Sequence, residues 1–208
     1  MTAIDKDLYP RALAASTPTL FEAASRRGAL PSVIRPLALQ VRLCGTALPV
    51  QCTAGDNLWL HHAIEAASPG DVLVVGVAGV ADCAYWGDLM TIAAQQRGIA
   101  GLVVEGAVRD IQRILDLGFP VYCTGVCVRG PAREASAGGG IGLPVRLGDA
   151  VVARGDLVVG DADGVVVLPA ADAARIVAAA ELRELGEKSL IERLRAGETT
   201  VDIFNRRA

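Results

Sequence analysis

The stretch that decides the fold is residues 86–110, WGDLMTIAAQQRGIAGLVVEGAVRD, which predicts a loop, a helix, a buried strand and a second loop in that order. Gly87 and Asp88 precede apolar residues at helical spacing, so we expect the helix to begin beside them. The amides of Leu89 and Met90 would then lie at the helix N-terminus, where unsatisfied N–H groups attract anions. Taken alone, Asp88 is better explained as an ordinary N-cap.

The second loop of this stretch puts a basic residue beside an acidic one. A predicted strand over residues 101–104 leads into a predicted turn over residues 105–108, and Arg109 and Asp110 then open the next helix. An arginine binds a carboxylate and an aspartate binds a hard cation, so the pair suits a metal-assisted reaction on a keto acid. A structural explanation is also possible, because an acidic residue favours a helix start and an arginine can pair with it. The pattern alone leaves both interpretations open.

The composition indicates one globular domain whose strands are buried on both faces. Of the 208 residues, 52% are hydrophobic, and this apolar excess is typical of parallel strands covered on both sides. The apolar runs are much shorter than the roughly 20 residues of a membrane span, so we expect no membrane association. The net charge is −3 and the basic residues are scattered, which predicts no nucleic-acid partner. The N-terminus lacks the apolar segment of a secretory signal, so we expect a cytoplasmic protein.

Three further patterns are weaker candidates for function. The five cysteines include no CxxC pair, so we expect reduced, buried thiols instead of a zinc site. The adjacent His61 and His62 diverge by about 100 degrees on a helix, so they cannot both bind one ion, and a surface or capping role is favoured. The glycine-rich segment before residue 86 lacks GxGxxG, which argues against dinucleotide binding.

The rest of the chain alternates helices with strands in its first half and then changes to short strands and a long helix. Succession of strand, helix and strand implies parallel pairing, which puts both loops of residues 86–110 at the carboxyl ends of strands. Ser16 or Thr17 would cap the first helix, and Asp56 or Asn57 the second. The glycine-rich residues 130–142 predict a loop. Residues 39–52 predict two short strands or one bent strand. The other predicted elements outside residues 86–110 are helices over residues 16–28, 56–67 and 170–196, and strands over residues 72–75, 119–122, 144–147, 150–153, 157–159 and 165–168.

Several of these segments, in this order, resemble a known family. They are STPTLFEAASRRGAL, IRPL, GDNLWLHHAIEAASPGDVLVV, GDLMTIAAQQRGIAGLVVEGAVRD, LGFPVY and GDADGVVVLP. The family contains 4-hydroxy-4-methyl-2-oxoglutarate aldolase and the regulator of ribonuclease activity A, and is called RraA-like. The resemblance implies an α/β fold of the swivelling β/β/α sandwich type, as a single domain over residues 1–208 that ends in the helix at about 170–196.

In the aldolase branch of that family, the resemblance assigns roles within the 86–110 stretch. The aspartate matching Asp110 binds a divalent metal, typically Mg²⁺ with Mn²⁺ as an alternative, and the arginine matching Arg109 contacts the substrate. The loop from Gly87 to Met90 holds the substrate carboxylate through its amides, and Asp88 orders water around the metal. These roles agree with the anion-binding helix end expected from the residues themselves.

The resemblance also implies an assembly of trimers or pairs of trimers, in which the C-terminal helix packs on a neighbouring subunit. A glutamate of that helix completes the neighbour's site. Counting back from the RAGE segment at residues 195–198, we favour Glu187, with Glu184 as the alternative.

The activity implied by the aldolase branch is a metal-dependent, class II cleavage of 4-hydroxy-2-keto acids to pyruvate and a second keto acid. Oxaloacetate would be decarboxylated through the same pyruvate enolate. The rival interpretation is a regulator without catalytic activity that binds and inhibits an RNase E-type ribonuclease. Because that branch shares the pair matching Arg109 and Asp110, we rely on the long C-terminal helix to favour the enzyme.

Overall fold

A nine-stranded mixed sheet organises the chain in the computed structural model, which describes residues 4–79, 82–131 and 138–205. The strands are β1 (Arg35–Pro36), β2 (Leu43–Thr53), β3 (Asp71–Ala78), β4 (Ala84–Trp86), β5 (Gly101–Val108), β6 (Val121–Val126), β7 (Gly140–Ile141), β8 (Val145–Leu147), β9 (Ala150–Val152), β10 (Leu157–Asp161) and β11 (Gly164–Leu168). The helices are α1 (Leu8–Ala14), α2 (Thr17–Ala23), α3 (Leu58–Ala66), α4 (Asp88–Gln96), α5 (Ile111–Asp116), α6 (Ala173–Arg195) and α7 (Thr200–Ile203).

The main path of the sheet runs β1-β6-β5-β3-β2-β10-β11. Its centre is parallel, because β6, β5, β3 and β2 pair in the same direction, whereas β1, β10 and β11 join antiparallel. The short strand β4 pairs with β5, and the short strand β7 pairs with β2. Strands β8 and β9 form a separate two-stranded sheet. The parallel centre confirms the pairing expected from the alternation of strands and helices.

The sheet is buried on both faces by different layers. Along β3, Leu73 and Val75 belong to the apolar cluster that also contains side chains of α3, α4 and α5, whereas Val72 and Val74 face a second cluster with side chains of β8 and β9. A hairpin layer, a sheet layer and a helical layer therefore follow one another, as expected of a β/β/α sandwich. This two-sided burial explains why the strand reads as a continuous apolar run.

The N-terminal helices and α6 form a third apolar cluster, packed on β10 and β11. Ser16 caps α2, since its side chain accepts a hydrogen bond from the Thr19 amide, and Pro18 occupies the first turn. Only the first half of α6 is buried, through Ala173, Ile176, Val177 and Ala180. The charged second half of α6 extends away from this core.

The structure corrects several boundaries predicted from the sequence. The first predicted helix ends at Ala23 instead of residue 28. Of the two alternatives for residues 39–52, the structure has the single strand, β2, which begins at Leu43 instead of residue 39. The turn predicted over residues 105–108 is wrong, because β5 continues to Val108 by pairing with β4 and β6 through a bulge. The elements α1, β1, β4, β7 and α7 were not predicted. Part of the predicted glycine-rich loop, residues 132–137, lies outside the described residues.

Among the described residues, no helix is long and apolar enough to cross a membrane.

Candidate functional site

The two loops of the 86–110 stretch meet because β4 and β5 lie side by side. Their parallel pairing joins Trp86 to Val108, so the loops that leave their carboxyl ends start next to each other. The Arg109 amide donates a hydrogen bond to the carbonyl of Trp86, with 3.0 Å between nitrogen and oxygen. A parallel sheet places its ligands in such crevices beyond the strand ends.

The loop that begins α4 is held by buried side chains of the core. The buried Trp86 stacks on Phe119 and donates its indole hydrogen to the Thr91 hydroxyl at 2.7 Å. That hydroxyl in turn donates to the carbonyl of Gly87 at 3.0 Å. Gly87 is the N-cap of α4, so the first turn of the helix is held in place from inside the core.

Gly87 allows the carboxylate of Asp110 to approach the start of α4 closely. A Cβ at this position would lie 2.5 Å from Asp110 Oδ2 and 3.4 Å from Arg109 Cγ. The φ angle of Gly87 is −156°, which any residue can adopt, so the absence of a side chain and not backbone freedom is what the site requires. Asp110 Oδ2 also accepts a long hydrogen bond, 3.4 Å, from the Asp88 amide.

Asp110 has a left-handed backbone, with φ 59° and ψ 36°. Non-glycine residues in this region are uncommon and cluster at functional positions, although aspartate tolerates it better than most residues. Its side chain does not cap α5 and instead faces Arg109, whose Nε lies 3.5 Å from Asp110 Oδ2. Both side chains remain accessible, with 45% of Arg109 and 37% of Asp110 exposed.

Asp88 is held by two donors. The guanidinium of Arg113 on α5 donates to Asp88 Oδ2 at 2.8 Å, and the Leu89 amide donates to Asp88 Oδ1 at 2.8 Å. The hydrogen bond from Arg113 lowers the pKa of the Asp88 carboxyl, so this group is ionised at neutral pH. Because the Leu89 amide is engaged by Asp88, a bound anion would have to share or displace this contact. No hydrogen bond engages the Met90 amide within the described residues.

These residues line a cavity of about 170 Å³. It contains Gly87, Asp88, Leu89, Met90, Arg109 and Asp110, so the structure brings together every site residue predicted from residues 86–110. The remaining lining residues are Asn57, His61, Ala84, Tyr85, Trp86, Gly130 and Pro131.

The two glutamates predicted from the C-terminal helix do not line this cavity in the same chain. Glu184 accepts a hydrogen bond from the Ser16 amide at 3.1 Å, which holds it against the N-terminal helices. Within the part of the chain that the structure describes, Glu187 makes only a 3.8 Å ion pair with Arg183, and it is half exposed. Glu187 is therefore the less restrained of the two candidates.

The Asp110 carboxylate and the open space around it fit a hard divalent ion that keeps most of its bound water. The Asp110 carboxylate accepts a long hydrogen bond from the Asp88 amide, and 37% of its side chain is open to solvent. Magnesium in proteins is commonly held by one or two carboxylates plus water and substrate oxygens. Over residues 4–79, 82–131 and 138–205 no group of three or more metal-binding side chains occurs, so an all-protein cage is not what this chain offers.

Sequence reasoning missed three residues of this region. Arg113 was not considered, although its position one turn after Arg109 on α5 lets it reach Asp88. Asn57 was considered only as a cap, yet it is buried and donates to the carbonyl of Tyr85 at 3.0 Å. His61 is exposed, as its predicted surface role requires, but sequence reasoning did not show that it also borders the cavity. The spacing of Asn57 and His61, four residues apart, could have indicated a shared helix face.

Comparisons with known proteins agree on one family. Residues 17–167 match the family model RraA-like, described as Aldolase/RraA. A protein of Halalkalibacterium halodurans named "Putative 4-hydroxy-4-methyl-2-oxoglutarate aldolase" is 38% identical over 160 residues, covering 77% of this chain and 75% of the relative.

Two solved structures share the fold over nearly the whole chain. An uncharacterized protein from Pseudomonas syringae has a TM-score of 0.83 at 28% identity, with 95% of this chain and 92% of the other covered. Streptomyces coelicolor RraAS2, described as an unusual member of the RNase ES inhibitor RraA protein family, has a TM-score of 0.80 at 31% identity, with 90% and 97% covered.

Proposed function

The chain belongs to the RraA-like, Aldolase/RraA family, and on that basis we propose that it is a divalent-metal-dependent pyruvate aldolase. Its substrates would be 4-hydroxy-2-keto acids of the 4-hydroxy-4-methyl-2-oxoglutarate type, cleaved to pyruvate and a second keto acid. Oxaloacetate decarboxylation would be a side activity, because it also passes through the enolate of pyruvate. The homologue name from Halalkalibacterium halodurans supports the aldolase branch.

One observation carries this proposal: the exposed carboxylate of Asp110, in a left-handed backbone conformation, lies against a glycine and beside Arg109 at the mouth of a small cavity. A structural ion pair at a helix start needs neither the unusual backbone nor the missing side chain at Gly87. A site that binds a small ligand and its metal ion needs both the unusual backbone and the glycine. The Arg109 guanidinium and the Asp110 carboxylate must point towards the same small space.

Each residue has a separate role in the proposed reaction. Arg109 binds the carboxylate of the keto acid, with the Met90 amide as a second donor, and the Leu89 amide joins once Asp88 yields it. Asp110 would hold the divalent ion, with Mg²⁺ favoured and Mn²⁺ as the alternative. When bound, that ion supplies Lewis-acid polarisation of the keto group and stabilises the negative charge that develops as the C3–C4 bond breaks. Asp88, ionised and held by Arg113, orders water at the site.

The test is pyruvate release from 4-hydroxy-4-methyl-2-oxoglutarate and from oxaloacetate, each measured with magnesium and with chelator. Asp110→Asn keeps the shape of the side chain and removes its charge, so we expect turnover to fall at least about 100-fold. Asp116→Asn is the matched control, because Asp116 lies on the same helix and only accepts a surface hydrogen bond from Gln112. Equal rates for the wild type and Asp110→Asn would exclude the proposed metal role.

We further propose that Glu187 acts on the site of a neighbouring subunit in a homotrimer or hexamer. Its weak restraint within its own chain supports this choice over Glu184, which Ser16 holds. If each site combines Asp110 of one subunit with Glu187 of another, co-assembly of Asp110→Asn with Glu187→Gln should regain part of the activity. Glu184→Gln serves as the control variant, and light scattering gives the size of the assembly. Full activity of Glu187→Gln alone would remove this residue from the site.

A second candidate function is inhibition of an RNase E-type ribonuclease, which the likeness to Streptomyces coelicolor RraAS2 favours. In that case the chain would slow RNA cleavage by such an enzyme near one-to-one stoichiometry, and Asp110→Asn would inhibit as well as the wild type. Inhibition combined with no pyruvate release from either compound would replace the aldolase proposal.

A further inference from the structure

A second cavity adjoins the proposed site on the side of α3. It has a volume of about 370 Å³, more than twice that of the site cavity, and lies between α3 and α4. Three residues, His61, Leu89 and Met90, line both cavities, so the two spaces are neighbours. The other lining residues of the second cavity are Ile64, Glu65, Ala93 and Arg97.

We propose that this second cavity is the subsite for the distal end of the substrate, and that it accepts the far carboxylate of a 2-keto diacid. The inference rests on the proposed function, because it takes Arg109 and Asp110 as the place where the keto end binds. The chemical class of ligand follows from the lining: apolar walls for a methylene chain, with His61 near the site and Arg97 at the far end as donors for an anion.

Arg97 is arranged to serve as the far donor. Its Nη1 donates to the backbone carbonyl of Glu65 at 2.9 Å, which fixes the guanidinium against the end of α3. Arg97 makes no ion pair within the described part of the chain, so its remaining N–H groups can bind a carboxylate. The Glu65 side chain also lines the cavity and adds one negative charge, so a diacid must gain more from Arg97 and His61 than it loses there.

The two donors suit ligands of different length. Arg97 follows the last turn of α4, about 12 Å along the helix axis from Leu89 at 1.5 Å per residue. Because His61 lines both cavities and Arg97 lines only the second, we expect a five-carbon diacid bound at Arg109 to meet His61 and a longer one to extend towards Arg97. The geometry predicts that diacids longer than 2-oxoglutarate bind at least as well as 2-oxoglutarate itself.

His62 provides a matched control for His61. It follows His61 in α3 but turns to the ring of Trp59, with the two ring centroids 5.6 Å apart, and it lines neither cavity. Replacing either histidine removes the same side chain from the same helix. A difference between the two variants therefore reports the cavity and not the stability of α3.

The experiment is calorimetric titration, in magnesium buffer, of keto acids that lack the cleavable 4-hydroxyl. The short pair, 2-oxoglutarate and 2-oxopentanoate, has five carbons. The long pair, 2-oxopimelate and 2-oxoheptanoate, has seven carbons. Within each pair only the distal carboxylate differs. We expect the wild type to bind each diacid about tenfold more tightly than its monoacid, the usual effect of a hydrogen bond to a charged group. His61→Ala should abolish this preference in the short pair and Arg97→Ala in the long pair, with His62→Ala unchanged.

The outcomes separate the subsite from the proposed function. If His61→Ala weakens diacid and monoacid equally, His61 contacts the keto end, and the subsite inference is wrong. Equal binding of diacid and monoacid by the wild type also overturns it, while pyruvate release would still support the aldolase. If neither diacid nor monoacid binds and no pyruvate is released, the proposed function fails together with the inference.

Discussion

Replacing Gly87 by alanine should damage the site while leaving the fold nearly intact. The added Cβ would lie 2.5 Å from Asp110 Oδ2, whereas ordinary contact begins at 3.4 Å, so the carboxylate must move by about 0.9 Å. A misplacement of about 1 Å at a reacting centre costs on the order of 100-fold in rate. We therefore expect kcat/KM for pyruvate release to fall about 100-fold, equivalent to about 2.7 kcal/mol of transition-state stabilisation.

The effect of this substitution on stability should be small. Gly87 has an extended backbone, so alanine adds no strain, but alanine is a poorer N-cap and costs about 1 kcal/mol. This corresponds to a loss of about 2–4 °C in Tm for a chain of this size. Gly125→Ala is the matched control, because Gly125 lies on the adjacent β6 and its Cβ would meet nothing within 4 Å. If Gly87→Ala retains half or more of wild-type kcat/KM, the close approach of Asp110 to Gly87 has no catalytic role.

Three further predictions concern stability and reactivity. Because Arg113 lowers the pKa of Asp88, the stabilising pair is present above the ordinary carboxyl pKa and is lost as pH falls through the lowered value. Arg113→Ala should therefore flatten the pH dependence of the urea midpoint in the acidic range below the ordinary carboxyl pKa. Burial raises the pKa of the Cys52 thiol to about 12, so a thiol reagent at mildly alkaline pH should label the half-buried Cys127 first, and Cys127→Ser should remove this fast phase. Gly186 lies inside α6 with open space around it, so Gly186→Ala should raise stability by about 0.5–1 kcal/mol in thermal unfolding.

The central fold could be predicted because its signals are local and strong. The run from Val72 to Val75 is apolar at every position, and the structure buries alternate side chains in different clusters on the two faces of the sheet. The end of β5 could not be predicted in the same way. Glu105 and Gly106 have low strand propensity, and only pairing with β4 and β6 extends the strand through them. Tertiary pairing overrides propensity at that point.

The sequence predicts which residues form the site but not how they are arranged. Gly87, Asp88, Arg109 and Asp110 follow from their positions after strands, since carboxyl ends of parallel strands meet at one edge. The left-handed backbone of Asp110 has no sequence signal that separates it from an ordinary helix start. His61 was missed for a related reason: helical spacing says that the two histidines diverge, but only the packing of α3 against α4 decides which of them faces the cavity.

The choice between aldolase and regulator cannot rest on the C-terminal helix. A protein described as an unusual member of the RNase ES inhibitor RraA protein family covers 90% of this chain, so the presence of the helix alone does not exclude a regulator. The argument that this site binds a ligand comes from the conformational free energy that its backbone costs. A non-glycine residue in the left-handed region costs on the order of 1–3 kcal/mol, and at Asp110 that backbone directs the carboxylate toward Gly87 and Arg109 instead of capping α5. A small anionic ligand and its cation require this convergence of Asp110, Arg109 and Gly87. The geometry therefore favours ligand binding at this site, and pyruvate release decides whether that ligand is cleaved.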